Sequence, residues 1–259
     1  REALSALAAL GRSASLAELA ADADGLDEPA LQRLQAAGLV VGDADAWRLV
    51  APATASAILG PDARALHRRL AARLERQGAP ADQLDRHRAA AGDVDAALRV
   101  SAACASRRCL REAFGALAPF REKLLGEAAS RPQPLLAWAE AAAGAGDHAA
   151  AREAFAKLAE HRDAAVRARA SLGLGESLER LGDLAGARER LEAALPALES
   201  SDERAAARLR LARIGGLAGD FAAAEAHARA GLDDPGGHEI LLLVQLGNAL
   251  SRLGSPDEA

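Results

Sequence analysis

The chain has no methionine and no tyrosine, and only two tryptophans and four phenylalanines among its 259 residues. Large aromatic and β-branched side chains do much of the packing in sheet-rich proteins. Half of this sequence is nevertheless hydrophobic, and the apolar surface is supplied by alanine and leucine. That composition suits close-packed helices. The missing methionine means that Arg1 is not a natural start, so the chain reads as an internal stretch of a longer protein. Cysteine is scarce too. Cys104 and Cys109 lie five apart in a helical stretch, a spacing whose geometry disfavours a disulfide, and a reducing cytoplasm is the expected compartment. No apolar run approaches the ~20 residues of a membrane-spanning helix. Positive charge is in deficit: the net charge of −5 argues against a general binder of nucleic acid or anionic membrane.

Chemistry is also missing. There is no Gly-x-x-x-x-Gly-Lys-Ser/Thr loop to cradle a nucleotide. None of His67, His87, His148, His161, His227 and His238 falls in a metal-ligand spacing, and no Gly-x-Ser-x-Gly elbow occurs. Glu176 and Glu179 are one helical turn apart, but carboxylates on an exposed helix are solvated. An acid–base pair needs a burying pocket to move its pKa values. Cys104 and Cys109 read as small packing residues, and Trp47 and Trp138 as core anchors. Catalysis, cofactors and metals are therefore not expected.

What is present centres on residues 174–194. Leu174, Leu178, Leu181 and Leu184 share one helical face. Gly182-Asp183 interrupts it: glycine can take the left-handed turn and aspartate can cap the next helix. Leu184, Ala187, Leu191 and Ala194 resume the stripe, and small Gly175 and Ala187 let the two helices approach closely. The frame recurs after Gly219-Asp220 with Leu211-Ala212, Phe221 and Ala224. It fits Leu246-Gly247, Leu250, Gly254 and Ala259, and less fully Gly146-Asp147 with Ala151 and Phe155. A worn copy turns at Arg108-Cys109, with Val100, Leu110, Ala113 and Leu117. The turns begin at 108, 146, 182, 219 and 254, so the steps are 38, 36, 37 and 35. In period, turn chemistry and small-residue positions the stretch resembles the tetratricopeptide repeat (TPR), whose period is about 34.

Residues 1–50 are a different unit. Leu4, Leu7 and Leu10 make a first helical stripe; Ser13 or Ser15 can cap a second helix with Leu16, Leu19 and Ala20; Asp27 can cap a third. That third helix has Pro29 in its first turn, Leu31, Leu34 and Ala37 inward, and a stop at Gly38. Leu39–Val41 and Trp47–Val50 are strand-like, joined by a turn at 42–45. Three helices and a hairpin in this order look like a winged helix. A DNA-reading helix needs donors for bases and cations for phosphates. Gln32, Arg33 and Gln35 are available, but four cations (Arg1, Arg12, Arg33, Arg48) face eight acids across 1–50, a net charge of −4. Phosphate contacts dominate affinity, so a packing domain is favoured over a DNA reader.

The bridge to the repeats opens a helix at Pro61-Asp62, with Leu66, Leu70 and Leu74 on one face amid Arg64, His67, Arg68, Arg69, Arg73 and Arg76. Those cations read as a solvated face whose stems cover leucine, with a dock for an acidic partner as the alternative. A helix over 82–91 follows, carrying Arg86-His87-Arg88 and closed by Gly92-Asp93. The order of winged helix, His-Arg-Arg-Leu helix and repeats resembles the region after the ATPase core in bacterial STAND-class signal-transduction ATPases, such as MalT-like and LuxR-type transcriptional regulators. The resemblance implies an N-terminal ATPase outside this stretch, a winged helix packed on it, and repeats that sense an inducer or partner.

The expected fold is thus all-α: a winged-helix-like domain over 1–60, connecting helices over 61–92, and about five TPR-like repeats over 93–259 forming a right-handed superhelix. In the family's frame the first helix of each repeat lines a concave groove. The groove residues are Gln133, Leu136 and Glu140; Arg169, Leu172, Glu176, Glu179 and Arg180; Leu209 and Arg213; and Val244, Asn248, Ser251 and Arg252. They do not reproduce the Lys/Asn/Arg carboxylate clamp of chaperone-binding relatives. The expected function is a non-catalytic regulatory scaffold that holds a protein, a peptide or a small inducer, with an intramolecular contact to the ATPase. The rivals are a DNA-binding regulator using 1–50 and an accessory piece of an enzyme.

Overall fold

The computed structural model describes residues 2–10, 13–20, 26–42, 46–50 and 63–254, with the backbone alone at 2 and 3. The described residues are mostly helical, with one small antiparallel sheet, in keeping with the all-α class. The expected turn residues 43–45, the helix opening at Pro61-Asp62 and the closing Ala259 lie outside the described residues. The chain divides into two compact units, residues 1–103 and 104–259.

The first unit opens with α1 (Glu2–Leu10), α2 (Leu16–Ala20) and α3 (Glu28–Ala36), followed by β1 (Val40–Gly42) and β2 (Trp47–Leu49). Of the two candidate caps for α2, Ser15 serves. Its Oγ accepts from the Glu18 N–H at 3.2 Å while Glu18 Oε2 accepts from the Ser15 N–H at 3.0 Å, a reciprocal capping box. Asp27 caps α3 by accepting from the Ala30 N–H at 2.8 Å. The strands pair Val40 with Leu49 and Gly42 with Trp47. Ala14 adds a one-residue third strand, exchanging backbone hydrogen bonds of 2.9 and 2.8 Å with Trp47. Leu7, Leu19, Leu31, Val40, Trp47 and Leu49 close the core. Ala37, expected to face inward, is exposed. It is the capping residue of α3, where the stripe has already rotated away.

α4 (Ala63–Arg76), α5 (Ala81–Ala90) and α6 (Val94–Ser106) follow. Leu66, Leu70 and Leu74 are buried as expected. His67 does not belong to the solvated face: it is buried, and its Nδ1 lies 3.0 Å from Nδ1 of buried His87 on α5.

The second unit holds α7 (Leu110–Leu117), α8 (Arg121–Glu127), α9 (Pro132–Gly144), α10 (His148–Leu158), α11 (Ala164–Arg180), α12 (Leu184–Ala194), α13 (Ser201–Ala218), α14 (Phe221–Leu232) and α15 (Glu239–Leu253). From α9 onward every helix packs on its successor. In addition α9 packs on α11, α11 on α13 and α13 on α15. Hairpins therefore lean on one another through their first helices, and neither hairpin face has to be buried by one pair alone.

The turns explain the regularity. At Gly182 the chain takes φ 89°. Gly182 N–H then bonds Glu179 C=O at 3.1 Å and Asp183 N–H bonds Leu178 C=O at 2.9 Å, closing α11. Asp183 immediately accepts from the Gly186 N–H at 2.9 Å and opens α12. The same device stands at Gly146-Asp147, Gly219-Asp220 and, in the first unit, Gly92-Asp93. The worn copy keeps the geometry without the residues: Arg108 has φ 60°, and Cys109 caps α7 with no side-chain bond. Cys109 is accordingly exposed, not the packing residue expected, while Cys104 is half-buried.

Between α11 and α12 a Cβ on Gly175 would stand 2.6 Å from Leu191 Cγ and 3.3 Å from Ala187 O. The predicted close approach is real. Ala187, Leu191 and Ala194 are buried. Leu181 departs from expectation at 46% exposure, because it is the C-cap of α11, where the chain turns outward. Trp138 and Trp47 are both core anchors, Trp138 with Phe114 5.6 Å away.

Candidate functional site

The expected groove residues sit on α9, α11, α13 and α15, the first helices that pack side by side. In each, the residues six and three before the turn glycine point along the shared face: Glu140, then Glu176 and Glu179, then Arg213, then Asn248 and Ser251. Helical spacing puts them one turn apart, and the side-by-side packing brings neighbouring helices' charges together.

Most of these charges are spent on one another. Glu140 pairs with Arg169 at 2.8 Å, and Arg169 with Glu203 at 3.9 Å. Arg210 bridges Glu176 at 2.6 Å and Glu179 at 3.2 Å, and Arg213 also pairs with Glu179. The Glu179 side chain is only 3% exposed. It is not the solvated carboxylate expected: two guanidinium groups from the next hairpin replace its water, which is the condition for burying a charge. Glu176 is half-buried. Burial pushes the Glu140 carboxyl above the usual carboxylate range, with Arg169 opposing the shift. Gln133 and Arg180 are exposed. Leu136, offered as a groove residue, is buried and forms core instead.

Arg210 and Glu203 complete this ladder and were not singled out from sequence. Arg210 lies three before Arg213 on the same helix, and that spacing was the available signal. The partners are 31 and 34 residues apart in sequence, so no local pattern announces them.

At α15 the ladder stops. Arg213, Gln245, Asn248, Ser251 and Arg252 border a cavity of about 560 Å³ whose apolar wall includes Leu217 and Phe221. Four expected groove residues thus converge on one space. No protein-family model matches this chain, and no curated protein matches it either.

Elsewhere in the second unit, a groove of about 780 Å³ lies between α10 and α12, walled by Arg121, Arg152, Glu153, Glu189 and Arg190 over Leu174 and Leu178. Sequence reasoning missed it, because it belongs to the second helices. Among the described residues no group of three or more His, Cys, Asp or Glu could hold a metal ion. No described helix is long and apolar enough to cross a membrane. In the first unit, two of the three candidate base readers on α3 are engaged at home. Gln32 donates to Glu28 at 3.3 Å, and Gln35 Nε2 donates to Gly42 C=O at 3.2 Å.

Proposed function

We propose that the chain is a non-catalytic, cytoplasmic interaction module. In it a TPR-like array, curved as a right-handed superhelix, presents its first helices as a binding face for a protein or peptide. The observation that carries this is the side-by-side packing of α9, α11, α13 and α15 with polar residues at repeating positions. The arrangement of α1–α3, the β1–β2 hairpin and the Ala14–Trp47 bridge supports reading the start of the chain as a winged-helix-like domain. This combination fits the regulatory region of a STAND-class signalling ATPase or transcriptional regulator. There the array receives a partner and the small domain passes the signal on. The acidic balance of 1–50 and the engaged glutamines of α3 favour packing over DNA reading.

The test is selection of binders from a displayed random-peptide library on the whole chain, followed by amide hydrogen exchange. Protection on α11, α13 and α15, lost in Arg213→Glu, supports the reading. Binders that protect only α10, α12 and α14 count against it. So does duplex binding at low salt that Arg33→Glu with Arg48→Glu abolishes.

A further inference from the structure

The α11–α13 junction shows what this face holds when it is full. Three residues before its turn glycine, α11 carries Glu179; nine and six before theirs, α13 carries Arg210 and Arg213, which grip that carboxylate. The α13–α15 junction repeats the layout with different residues. In the place of Glu179 stands Gly216; in the places of Arg210 and Arg213 stand Gln245 and Asn248.

The exchange removes the acceptor and keeps donors. Nothing lies within 4 Å of a Cβ built on Gly216, so the room a Glu179-like side chain would take is open. Around it stand Gln245, Asn248, Ser251 and Arg252, none with a side-chain hydrogen bond or ion pair to another described residue. Arg213 contributes from the other wall, already holding Glu179. Beside these donors Leu217 is 65% exposed, and Phe221 continues the apolar wall. A volume of about 560 Å³ exceeds one carboxylate and its stem and lies within the range of ligand sites.

We propose that this cavity binds an acidic side chain of a partner peptide. The peptide's carboxylate would occupy the place that Glu179 fills one repeat earlier, and an adjacent apolar residue would lie on Leu217 and Phe221. Arg252 supplies the opposing charge; Gln245, Asn248 and Ser251 supply hydrogen bonds to the carboxylate and the peptide backbone. Charge-assisted bonds of this kind are the strong ones, and the α13–α15 junction keeps donors where the carboxylate that α11 supplies to α13 is missing. The inference rests on reading the first-helix face as the binding surface and names the chemistry it selects.

The experiment titrates the whole chain, by calorimetry and by ¹H–¹⁵N spectra, with N-acetyl-Leu-Glu-Leu-amide, its Leu-Gln-Leu counterpart and glutarate. The Glu peptide is expected to bind at least tenfold more tightly than the Gln peptide, to weaken with salt, and to shift amides of α13 and α15. Arg252→Glu should weaken it at least tenfold. Gly216→Glu places a tethered carboxylate in the cavity and should abolish binding while circular dichroism and the melting temperature hold. Equal binding of both peptides, or unchanged binding by Gly216→Glu, overturns the proposal. Glutarate binding as tightly as the peptide overturns the peptide part and makes the occupant a free small acid. Failure of the Glu peptide while library-selected peptides still bind α11–α13 sinks this inference alone; failure of every peptide on the face sinks the parent reading as well.

Discussion

Arg108 holds a left-handed backbone that every Gly-Asp junction gives to glycine. The conformation costs an L-residue about 1–2 kcal/mol, part of which glycine returns to the unfolded chain as freedom. Arg108→Gly should therefore raise stability by roughly 0.5–1 kcal/mol. Cys109→Asp should add about 1 kcal/mol by supplying the cap that Asp147, Asp183 and Asp220 supply elsewhere. Urea unfolding of each variant and of the pair checks both values. Glu179→Ala works in the other direction. It leaves Arg210 and Arg213 facing each other without their shared acid, and because both guanidinium groups keep some solvent, the loss should be about 2 kcal/mol. Single residues were legible in sequence where a stripe ran mid-helix, as at Leu7, Leu31 and Leu191. They were illegible at helix ends, where Leu181 and Ala37 rotate outward. They were illegible too where burial depends on a distant partner, as at Glu179.

Helices and turns were the most readable level. Each Gly-Asp junction is a local device, so two residues announce both the end of one helix and the start of the next. The single-residue Ala14 bridge has no such signature, since one residue shows no alternation. The α11–α12 contact rests on Gly175, Ala187 and Leu191. Ala187→Trp should lower stability by about 3 kcal/mol, the upper end for overpacking, seen as a drop in melting temperature; an unchanged melt would refute the packing. The α4–α5 pair depends on His67 and His87, whose facing Nδ1 atoms can share one proton but not hold two. Burial lowers the His67 pKa from the ordinary 6.5. The unfolded chain therefore takes up protons before the folded one. The stabilisation is complete above about 6.5 and is lost as pH falls through the depressed folded value. Hydrogen-exchange protection of α4 and α5 should decline from pH 7 to 5, and His67→Phe should flatten that decline.

At the scale of the whole molecule, the spacing of turns at 146, 182, 219 and 254 was visible because each is set by its own glycine. Which charges meet across hairpins was not, because the ion pairs join helices that are neighbours only after stacking. The scarcity of aromatics also has a practical result. One indole lies in each compact unit, Trp47 in residues 1–103 and Trp138 in residues 104–259. Both are almost wholly shielded from solvent, and neither ring N–H has a hydrogen-bond partner among the described residues. No phenol contributes a background signal. Trp47→Phe and Trp138→Phe should each leave a single fluorophore with blue emission that moves to the red when its own half of the polypeptide opens. The protein thus carries two built-in optical reporters. Recording both through one denaturation series will show whether the halves come apart together or in succession.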